Sequence, residues 1–381
     1  MAVAGSGTQN DPFVVHDATE LHDTTRSCTP ASGDTCYVVL ANNITTELSN
    51  TSLIYPRASG TTPTLDLDLD GNTITASGGG MFASSNAQRG NPDHIRNGAC
   101  VINLNDNIRT AVPMSGHFIS EDCRYDFSVT GSAQLVSYLI SYSRFFRSRI
   151  NVDIPIINLS TGFTAFAIME IYGVNTPTDS DVLYDTDLNV NIGSSGNCGE
   201  LVLVKGSYSG SETVRNSRIR GELGDFSLEN AYYYPAINTR GSFIADSVIN
   251  FKVPEYTGTG NPDHSRKFVQ RSEYYETVSV VNGSLLPSGA YPENTDELLK
   301  YISNADMYSM SALNSYGFSV EQAADPLQPD KWLIDKKIPF RKPFPDMVPR
   351  INSGSFPIDA LYLGDEPVEK VIKNGKILYE N

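Results

Sequence analysis

The sequence has few of the residues that mark several common classes of protein. Five cysteines, five histidines and a single tryptophan occur in 381 residues. No apolar run approaches the roughly 20 residues that span a bilayer, and the amino terminus lacks the basic and apolar regions of a secretory signal. Basic residues are also scarce, because 28 Lys and Arg stand against 44 Asp and Glu, a net charge of −16. We therefore expect neither membrane insertion nor nucleic-acid binding, which needs clustered basic residues.

The cysteines are scattered and odd in number, at positions 28, 36, 100, 123 and 198. In a chain for which we expect no secretory signal, this predicts reduced thiols. Cys28 and Cys36 are close enough to pair if oxidised, but two thiols flanking a turn is the interpretation we favour. The sequence has no Walker loop, nucleophile elbow, HExxH or CxxC motif. We accordingly expect no cofactor and no metal.

Most of the chain before residue 290 consists of short runs in which apolar and polar residues alternate. Examples are Leu65–Leu69 and Arg149–Ile154. Such period-two alternation is typical of strands with one buried face. A phrase recurs among the runs: a small residue followed by apolar residues two, four and six positions later, as in Ser148 with Ile150, Val152 and Ile154.

The first apolar position of this phrase falls at 102, 125, 150, 188, 219 and 249, with Leu67 before the series and Val278 and Val280 after it. Steps of 20 to 40 residues that keep one strand phase indicate a solenoid. We predict second strands at 135–142, 163–174 and 201–204. A β-sandwich or jelly roll is the alternative, since it also has short strands and turns, but it would not require the repeated phrase.

Two segments carry a resemblance to known proteins. The opening Gly5–Val15, the helix-like Ala18–His22 and the run Cys36–Ile44 resemble the first coil of right-handed parallel β-helix proteins of phage and bacterial surfaces. The resemblance implies a strand, a short helix and a second strand that close the first coil. Tyr362–Tyr379 resembles a short β-module of virion proteins from phages of Gram-positive hosts, and its Asn374-Gly375 pair predicts a hairpin turn. Together they imply a tailed-phage virion protein, in a superfamily that is usually trimeric.

We therefore predict an all-β fold, a right-handed parallel β-helix with a short helical segment and a C-terminal hairpin module. The expected regions are an N-terminal cap (1–62), the β-helix (63–290), the helical segment (291–325), a proline-rich arm (326–357) and the C-terminal module (358–381). The helical segment rests on Asn294 as N-cap, Glu297 three residues later and apolar residues at helical spacing. The arm carries a local excess of basic charge, and we expect it to anchor on an acidic neighbour such as another subunit. Its anchoring residues would be Trp332, Lys336, Lys337, Arg341 and Lys342.

Several groups of residues are candidates for chemistry, each with a simpler structural explanation. Two carboxylates at a suitable separation cleave glycosidic bonds, and the weak candidates are Asp179, Asp181, Asp185 and Asp187. The alternative for this run is a solvated turn. Asp66, Asp68, Asp70 and Gly71 begin like a calcium loop, but position twelve is Ser77 rather than an acid, so a half-buried strand is favoured.

Two further groups are repeated loops and clustered aromatics. The sequence Gly-Asn-Pro-Asp-His recurs, so that Asp93 and His94 correspond to Asp263 and His264. These pairs could share a proton or a metal, but we favour paired insertion loops because Asn-Pro-Asp is a turn sequence. Tyrosine clusters suit a sugar-binding groove or a subunit interface. They comprise Tyr232, Tyr233, Tyr234, Tyr274 and Tyr275.

These observations lead to one expected function and two alternatives. We expect a non-enzymatic structural protein of a tailed-phage virion, a fibre, spike or head decoration that contacts the host surface. Its partners would be further copies of itself in a homotrimer, other virion proteins and host polysaccharide. It would be made in the host cytoplasm and located in the virion. The alternatives are a polysaccharide-degrading tailspike, a glycoside hydrolase or lyase with carboxylate catalysis, and a bacterial surface adhesin.

Overall fold

The computed structural model describes part of the chain. The described residues are 3–28, 35–48, 52–54, 64–78, 81–83, 92–104, 113–116, 118–130, 134–135, 138–141, 143–159, 165–170, 181–184, 186–197, 200–205, 213–215, 217–225, 232–239, 243–245, 248–252, 269–271, 279–281, 285–287, 300–302, 311, 320–321, 332–334, 339–341, 362–363, 366–367, 370–373 and 376–380. Among them, no helix is long and apolar enough to cross a membrane.

The described elements are one bounded helix and a long series of short strands. The chain opens with β1 (Phe13–Val15), α1 (Ala18–Ser27), β2 (Thr35–Leu40), β3 (Ile44–Glu47), β4 (Thr64–Asp68), β5 (Thr73–Ser77), β6 (Phe82–Ala83), β7 (Asp93–Leu104), β8 (Met114–Ser115) and β9 (Phe118–Val129). It continues with β10 (Gln134–Leu135), β11 (Tyr138–Ser141), β12 (Arg144–Phe146), β13 (Arg149–Leu159), β14 (Ala165–Glu170), β15 (Asp181–Tyr184), β16 (Asp187–Asn197), β17 (Glu200–Lys205), β18 (Thr213–Arg215), β19 (Arg218–Asp225) and β20 (Tyr232–Thr239). The remaining strands are β21 (Phe243–Ala245), β22 (Val248–Lys252), β23 (Val269–Arg271), β24 (Ser279–Val281), β25 (Leu285–Pro287), β26 (Lys300–Ile302), β27 (Val320–Glu321), β28 (Trp332–Ile334), β29 (Pro339–Arg341), β30 (Tyr362–Leu363), β31 (Glu366–Pro367), β32 (Lys370–Lys373) and β33 (Lys376–Glu380).

The strands up to β26 form three parallel ladders, which confirms the predicted parallel β-solenoid. The first ladder contains β1, β2, β4, the first half of β7, the first half of β9, β12, β15, β18, β21 and β24. The second contains β3, β5, the second halves of β7 and β9, β10, β13, β16, β19, β22, β25 and β26. The third contains β6, β8, β11, β14, β17, β20 and β23. All these pairings are parallel, which excludes the sandwich and jelly-roll alternatives, whose strands are antiparallel.

The core consists of the inward side chains of successive coils, stacked on one another. In β13, Ile150, Val152 and Ile154 are buried, as the alternation predicted. The largest inward side chains are aromatic: Tyr125 contacts Phe145 edge to face, with ring centroids 5.3 Å apart. The Tyr125 hydroxyl lies 2.8 Å from Ser120 Oγ, so the one polar atom of this ring is paired inside the core.

The small residue of the repeated phrase occupies a buried corner between the first and second ladders. We call the stacked residues at this position the corner column, which comprises Gly98, Cys123, Ser148, Thr186 and Ser217. The backbone N–H of Cys123 donates to Ser148 Oγ at 3.2 Å. The N–H of Ser148 donates to Thr186 Oγ1 at 3.3 Å, and that of Thr186 to Ser217 Oγ at 3.1 Å. The N–H groups of Cys123, Ser148 and Thr186 are therefore each satisfied by a hydroxyl from the following coil, which explains why small hydroxyl residues recur at this corner.

Gly98 belongs to the same column for a steric reason. A Cβ atom at this position would meet the Leu69 side chain and would lie 2.6 Å from the backbone oxygen of Asn72. Because the two coils approach this closely, there is no room for a side chain at Gly98.

Removing one hydroxyl of the corner column should destabilise the solenoid. We expect Thr186→Val to lower the free energy of unfolding by about 1–3 kcal/mol, because the buried N–H of Ser148 would lose its acceptor. Thr186→Ser keeps the hydroxyl and should cost less. Thr75→Val, on the outer face of β5, is the matched control. Urea denaturation followed by circular dichroism would contradict the expectation if the two valine variants were equally stable.

The N-terminal cap has the strand, helix and strand that the resemblance implied. Asp17 caps α1 by accepting from the N–H of Glu20 at 2.9 Å, and β1 pairs in parallel with β2. The prediction of reduced thiols was wrong for Cys28 and Cys36, which are joined by a disulfide. Their Cα atoms lie 6.3 Å apart because the chain returns from the end of α1 to the start of β2.

The predicted repeat phase was wrong at both ends of the series. Cys100, not Ile102, lies opposite Tyr125, while Leu67 and Val280 belong to the first ladder rather than the second. The reason is that β7 and β9 each run from the first ladder into the second. Buried and outward residues alternate in both ladders, so the alternation does not show to which ladder a residue belongs. Val278 lies outside the described residues. The second strands were placed correctly, since β11, β14 and β17 overlap the predicted segments.

The C-terminal third differs from expectation in two places. Lys300–Ile302, predicted as helix, forms β26 and extends the second ladder by pairing with β25. The proline-rich arm contains an antiparallel pair, in which Trp332 lies opposite Arg341. Pro339 begins its strand, where the missing N–H costs no ladder bond. The predicted C-terminal hairpin is confirmed, because β32 and β33 are antiparallel and Lys373 pairs with Lys376 across Asn374-Gly375.

Candidate functional site

The outer corner between the first and second ladders is turned by residues with left-handed backbone. In the described parts of the chain, four residues other than glycine have positive φ, and all lie at this corner: Asp70 (47°), Asn97 (60°), Asp122 (54°) and Arg147 (48°). Asn and Asp tolerate this conformation better than most residues. The turn directs polar side chains of successive coils toward one another.

Arginines join neighbouring coils along this corner. Arg96 contacts Asp66 at 2.9 Å and Asp68 at 2.7 Å, both from the preceding coil. Arg147 binds Asp122 through two parallel hydrogen bonds, Nε to Oδ1 at 2.8 Å and Nη2 to Oδ2 at 2.9 Å. Both oxygens of Asp122 are therefore held by the protein, in the bidentate geometry that gives arginine its specificity for carboxylates.

The outer face of the second ladder carries a parallel row of amides. Asn189 Nδ2 donates to Asn151 Oδ1 at 2.7 Å, and Asn151 Nδ2 donates to Asp126 Oδ1 at 2.6 Å. In the neighbouring row, Asn191 Nδ2 donates to Asp153 Oδ1 at 2.8 Å. The described polar side chains of this face thus hydrogen-bond one another from coil to coil.

The Arg147–Asp122 pair should stabilise the fold modestly. Arg147 is 37% exposed and Asp122 12%, so solvent screening limits the gain, and we expect Arg147→Met to lower the free energy of unfolding by about 1 kcal/mol. Arg124→Met is the control, since Arg124 is 61% exposed and pairs with Asp126 within its own strand. It should change stability by less than about 0.5 kcal/mol. Equal losses in thermal melts of the two variants would contradict a special role for the bidentate pair.

An aromatic pair interrupts the charged outer surface of the first ladder. Phe146 and Tyr184 are register partners in neighbouring coils, with ring centroids 6.2 Å apart and planes tilted by 43°. Both rings are half-buried. Glu121 lies opposite Phe146 in the preceding coil. We call this surface the aromatic patch, comprising Phe146, Tyr184, Glu121, Asp122, Arg144 and Arg147.

Sequence reasoning missed the aromatic patch. A usable signal was present in Phe145-Phe146, because two consecutive aromatic residues in a strand must point to opposite faces. Phe145 is fully buried, so Phe146 is the outward ring. Pairing with Tyr184 could not be foreseen, since it depends on a register spanning 38 residues.

The predicted catalytic run is only partly described. Asp181 begins β15 and Asp187 begins β16, so they lie in strands of different ladders rather than in a solvated turn. Arg149 approaches Asp187 at 3.5 Å. Asp179 and Asp185 lie outside the described residues.

The repeated motif was predicted as an insertion loop, and the described part of its first copy, from Pro92 onward, leads into a strand instead. Asp93, His94 and Arg96 belong to β7, where the Asp93 carboxylate is buried and accepts the N–H of Leu65 at 2.8 Å. His94 lies opposite Asp66. The turn sequence therefore precedes a strand whose first side chain ties two coils together. Asp263 and His264 lie outside the described residues.

Other predicted site residues are placed only in part. Tyr232, Tyr233 and Tyr234 belong to β20 in the third ladder, while Tyr274 and Tyr275 lie outside the described residues. Trp332 and Arg341 lie opposite each other in the antiparallel strand pair of the arm, and Lys336, Lys337 and Lys342 lie outside the described residues. Asp66 and Asp68 lie in or at the end of β4, as the strand interpretation predicted, and bind Arg96. Among the described residues, no group of three or more His, Cys, Asp or Glu side chains is placed to hold a metal ion.

Comparisons of the chain with protein-family models, curated proteins and solved structures found no match.

Proposed function

We propose that this chain is a non-enzymatic structural component of a tailed-phage virion, a projecting fibre, spike or head-decoration protein that contacts the host surface. The virion assignment is supported by the resemblance of the opening segment and of Tyr362–Tyr379 to phage proteins. The parallel β-solenoid is compatible with that assignment, although the same fold serves other proteins.

The observation that carries the non-enzymatic part of the proposal is the bonding of the outer polar side chains. Asp66 and Asp68 are bound by Arg96, and both oxygens of Asp122 by Arg147. Asp126 and Asp153 accept from the asparagines of the following coils. A pair of carboxylates committed to such bonds holds coils together, whereas a glycosidase needs an acid and a base directed at its substrate.

Three partners belong to the proposal. Further copies of the chain would form a homotrimer, and other virion proteins would bind the arm at 326–357, whose local basic charge opposes the acidic remainder of the chain. Host polysaccharide would be the third partner. The protein would be made in the host cytoplasm and incorporated into the virion.

Cell binding tests the proposal directly. Fluorescently labelled full-length protein is mixed with a panel of Gram-positive and Gram-negative bacteria, and bound protein and newly released reducing ends are measured in the same tubes. We expect binding to a narrow set of strains without release. Release that disappears in an Asp179/Asp181 or Asp185/Asp187 double alanine variant would overturn the proposal in favour of a polysaccharide-degrading spike. Failure to bind any strain would overturn the host-contact role.

Location is tested separately with an antibody raised against the purified protein. Phage particles purified from strains that carry the gene should be labelled by immunogold at the tail or capsid surface. Particles free of label, with all of the protein in the soluble fraction of the lysate, would contradict a virion location.

A further inference from the structure

We propose that the aromatic patch is the binding site for an uncharged polysaccharide of pyranose sugars. This inference rests on the proposed contact with the host surface and names the class of molecule that is bound. It also names the residues that bind it, which differ from the tyrosine clusters that the sequence indicated.

The patch stands out from the column of residues to which it belongs. Following the register of the first ladder, the residues at this position in successive coils are Val39, Asp68, Arg96, Glu121, Phe146, Tyr184 and Arg215. The two aromatic residues are therefore flanked in the register by Glu121 on one side and Arg215 on the other. Two adjacent outward rings in a row of mostly charged residues need a separate explanation.

The two rings form a platform on which sugar rings can stack. Neighbouring coils of a parallel sheet lie about 4.8 Å apart, so Phe146 and Tyr184 present nearly continuous apolar surface along the solenoid axis. Their backbones are fixed by ladder pairing on both sides, since β12 lies between β9 and β15 and β15 between β12 and β18. The C–H-rich face of a pyranose is apolar and packs on such rigid rings at little cost in side-chain entropy.

Polar groups beside the platform suit sugar hydroxyls. A hydroxyl both donates and accepts, so it matches a surface on which guanidinium donors and carboxylate acceptors lie side by side. Asp122 fixes the orientation of Arg147, and Glu121 Oε2 lies 3.7 Å from Arg147 Nη2, too far for a hydrogen bond. The Glu121 carboxylate, at 37% exposed, is thus placed to accept from a ligand hydroxyl.

The charge of the patch selects an uncharged polymer. Arg144 and Arg147 balance Glu121 and Asp122, and the whole chain carries −16. Long-range repulsion would disfavour a polyanion such as a polyuronate or a polymer of phosphodiesters. A neutral glycan meets no such penalty and gains from stacking as well as from hydroxyl hydrogen bonds.

The test uses the full-length protein and defined polymers. Neutral probes are dextran, galactan, rhamnan, mannan and oligomers of N-acetylglucosamine, and anionic probes are polygalacturonate and poly(glycerol phosphate). Binding is measured by biolayer interferometry for the native protein, Phe146→Ala, Tyr184→Ala and Tyr184→Phe. Tyr37→Ala is the matched control, because Tyr37 also lies half-buried on the outer face of the first ladder, in β2, away from the patch. Thermal melts verify that each variant is folded.

We expect at least one neutral polymer to bind, with affinity lowered about tenfold or more by either alanine substitution and retained by Tyr184→Phe and Tyr37→Ala. Binding to anionic polymers alone, or no binding to any probe, would overturn the inference. So would equal affinities of Tyr184→Ala and the native protein. If the alanine variants label bacteria as strongly as the native protein does, the inference fails while the proposed host contact stands. If the native protein itself labels no bacteria, the proposed function fails instead.

Discussion

Replacing Phe145 with alanine should lower the free energy of unfolding by about 3–5 kcal/mol. Phe145 is completely buried and packs edge to face on Tyr125 of the preceding coil. Truncation would remove the ring from the middle of the stacked core and leave a cavity between two coils, which the ladder bonds prevent from closing. Equilibrium denaturation in urea measures the loss directly.

Its neighbour in the sequence provides the control. Phe146 is chemically identical but lies on the outer face, so Phe146→Ala should cost less than about 1 kcal/mol. The two variants together test the inward and outward assignment of β12. Comparable losses of stability would show that the strand is turned differently, and they would also remove the basis for the aromatic patch.

Raising the pH from 9 to 11 should destabilise the protein by roughly 3 kcal/mol or more. Burial raises the pKa of the Cys123 thiol from its ordinary value of 9.0 to about 11, and burial also raises the pKa of Cys100 well above 9.0. In the unfolded chain both thiols lose their protons near pH 9, whereas the folded protein keeps them. The unfolded state then binds fewer protons, so stability is complete below pH 9 and falls as the pH rises.

The shift at Cys123 supplies about 2 kcal/mol of this loss between pH 9 and 11, since its full two pKa units, about 2.7 kcal/mol, are lost only above pH 11. Cys100 supplies the rest, and Tyr125, whose pKa is likewise raised by burial, adds to the loss above pH 10. Cys123→Ser should fold, because serine occupies the same corner position at Ser148 and Ser217, and it should flatten the dependence of stability on pH. Urea midpoints at pH 8, 9, 10 and 11 give the measurement. A slope that is unchanged in both Cys123→Ser and Cys100→Ala would contradict this origin.

The inward and outward positions of the strands could be predicted from the sequence because burial alternates with a period of two. Ile150, Val152 and Ile154 are buried for that reason, and Asp66 and Asp68 point outward. The small residue of the repeated phrase was also identified, although its role as the acceptor for an N–H of the preceding coil required the structure.

The contacts between coils could not be predicted, because each depends on a register set by the lengths of the connections. Arg147 meets Asp122 across 25 residues, while Phe146 meets Tyr184 across 38. When one strand is aligned two residues away from its true register, as at Ile102, every inward residue stays inward but every residue is paired with the wrong partner in the next coil. The Cys28–Cys36 disulfide was missed for a different reason, since the thiols were interpreted from the expected compartment rather than from the return of the chain after α1.

The corner column also gives the solenoid a direction of growth. The corner N–H groups of Cys123, Ser148 and Thr186 are satisfied by residues that are synthesised 25 to 38 positions later, so a chain that stops after any of these coils leaves its last corner donor unmet. As the polypeptide leaves the ribosome, each of these coils is a template that the next one completes. A chain interrupted at any coil would present an open sheet edge together with an unsatisfied donor, the combination that recruits other copies into aggregates.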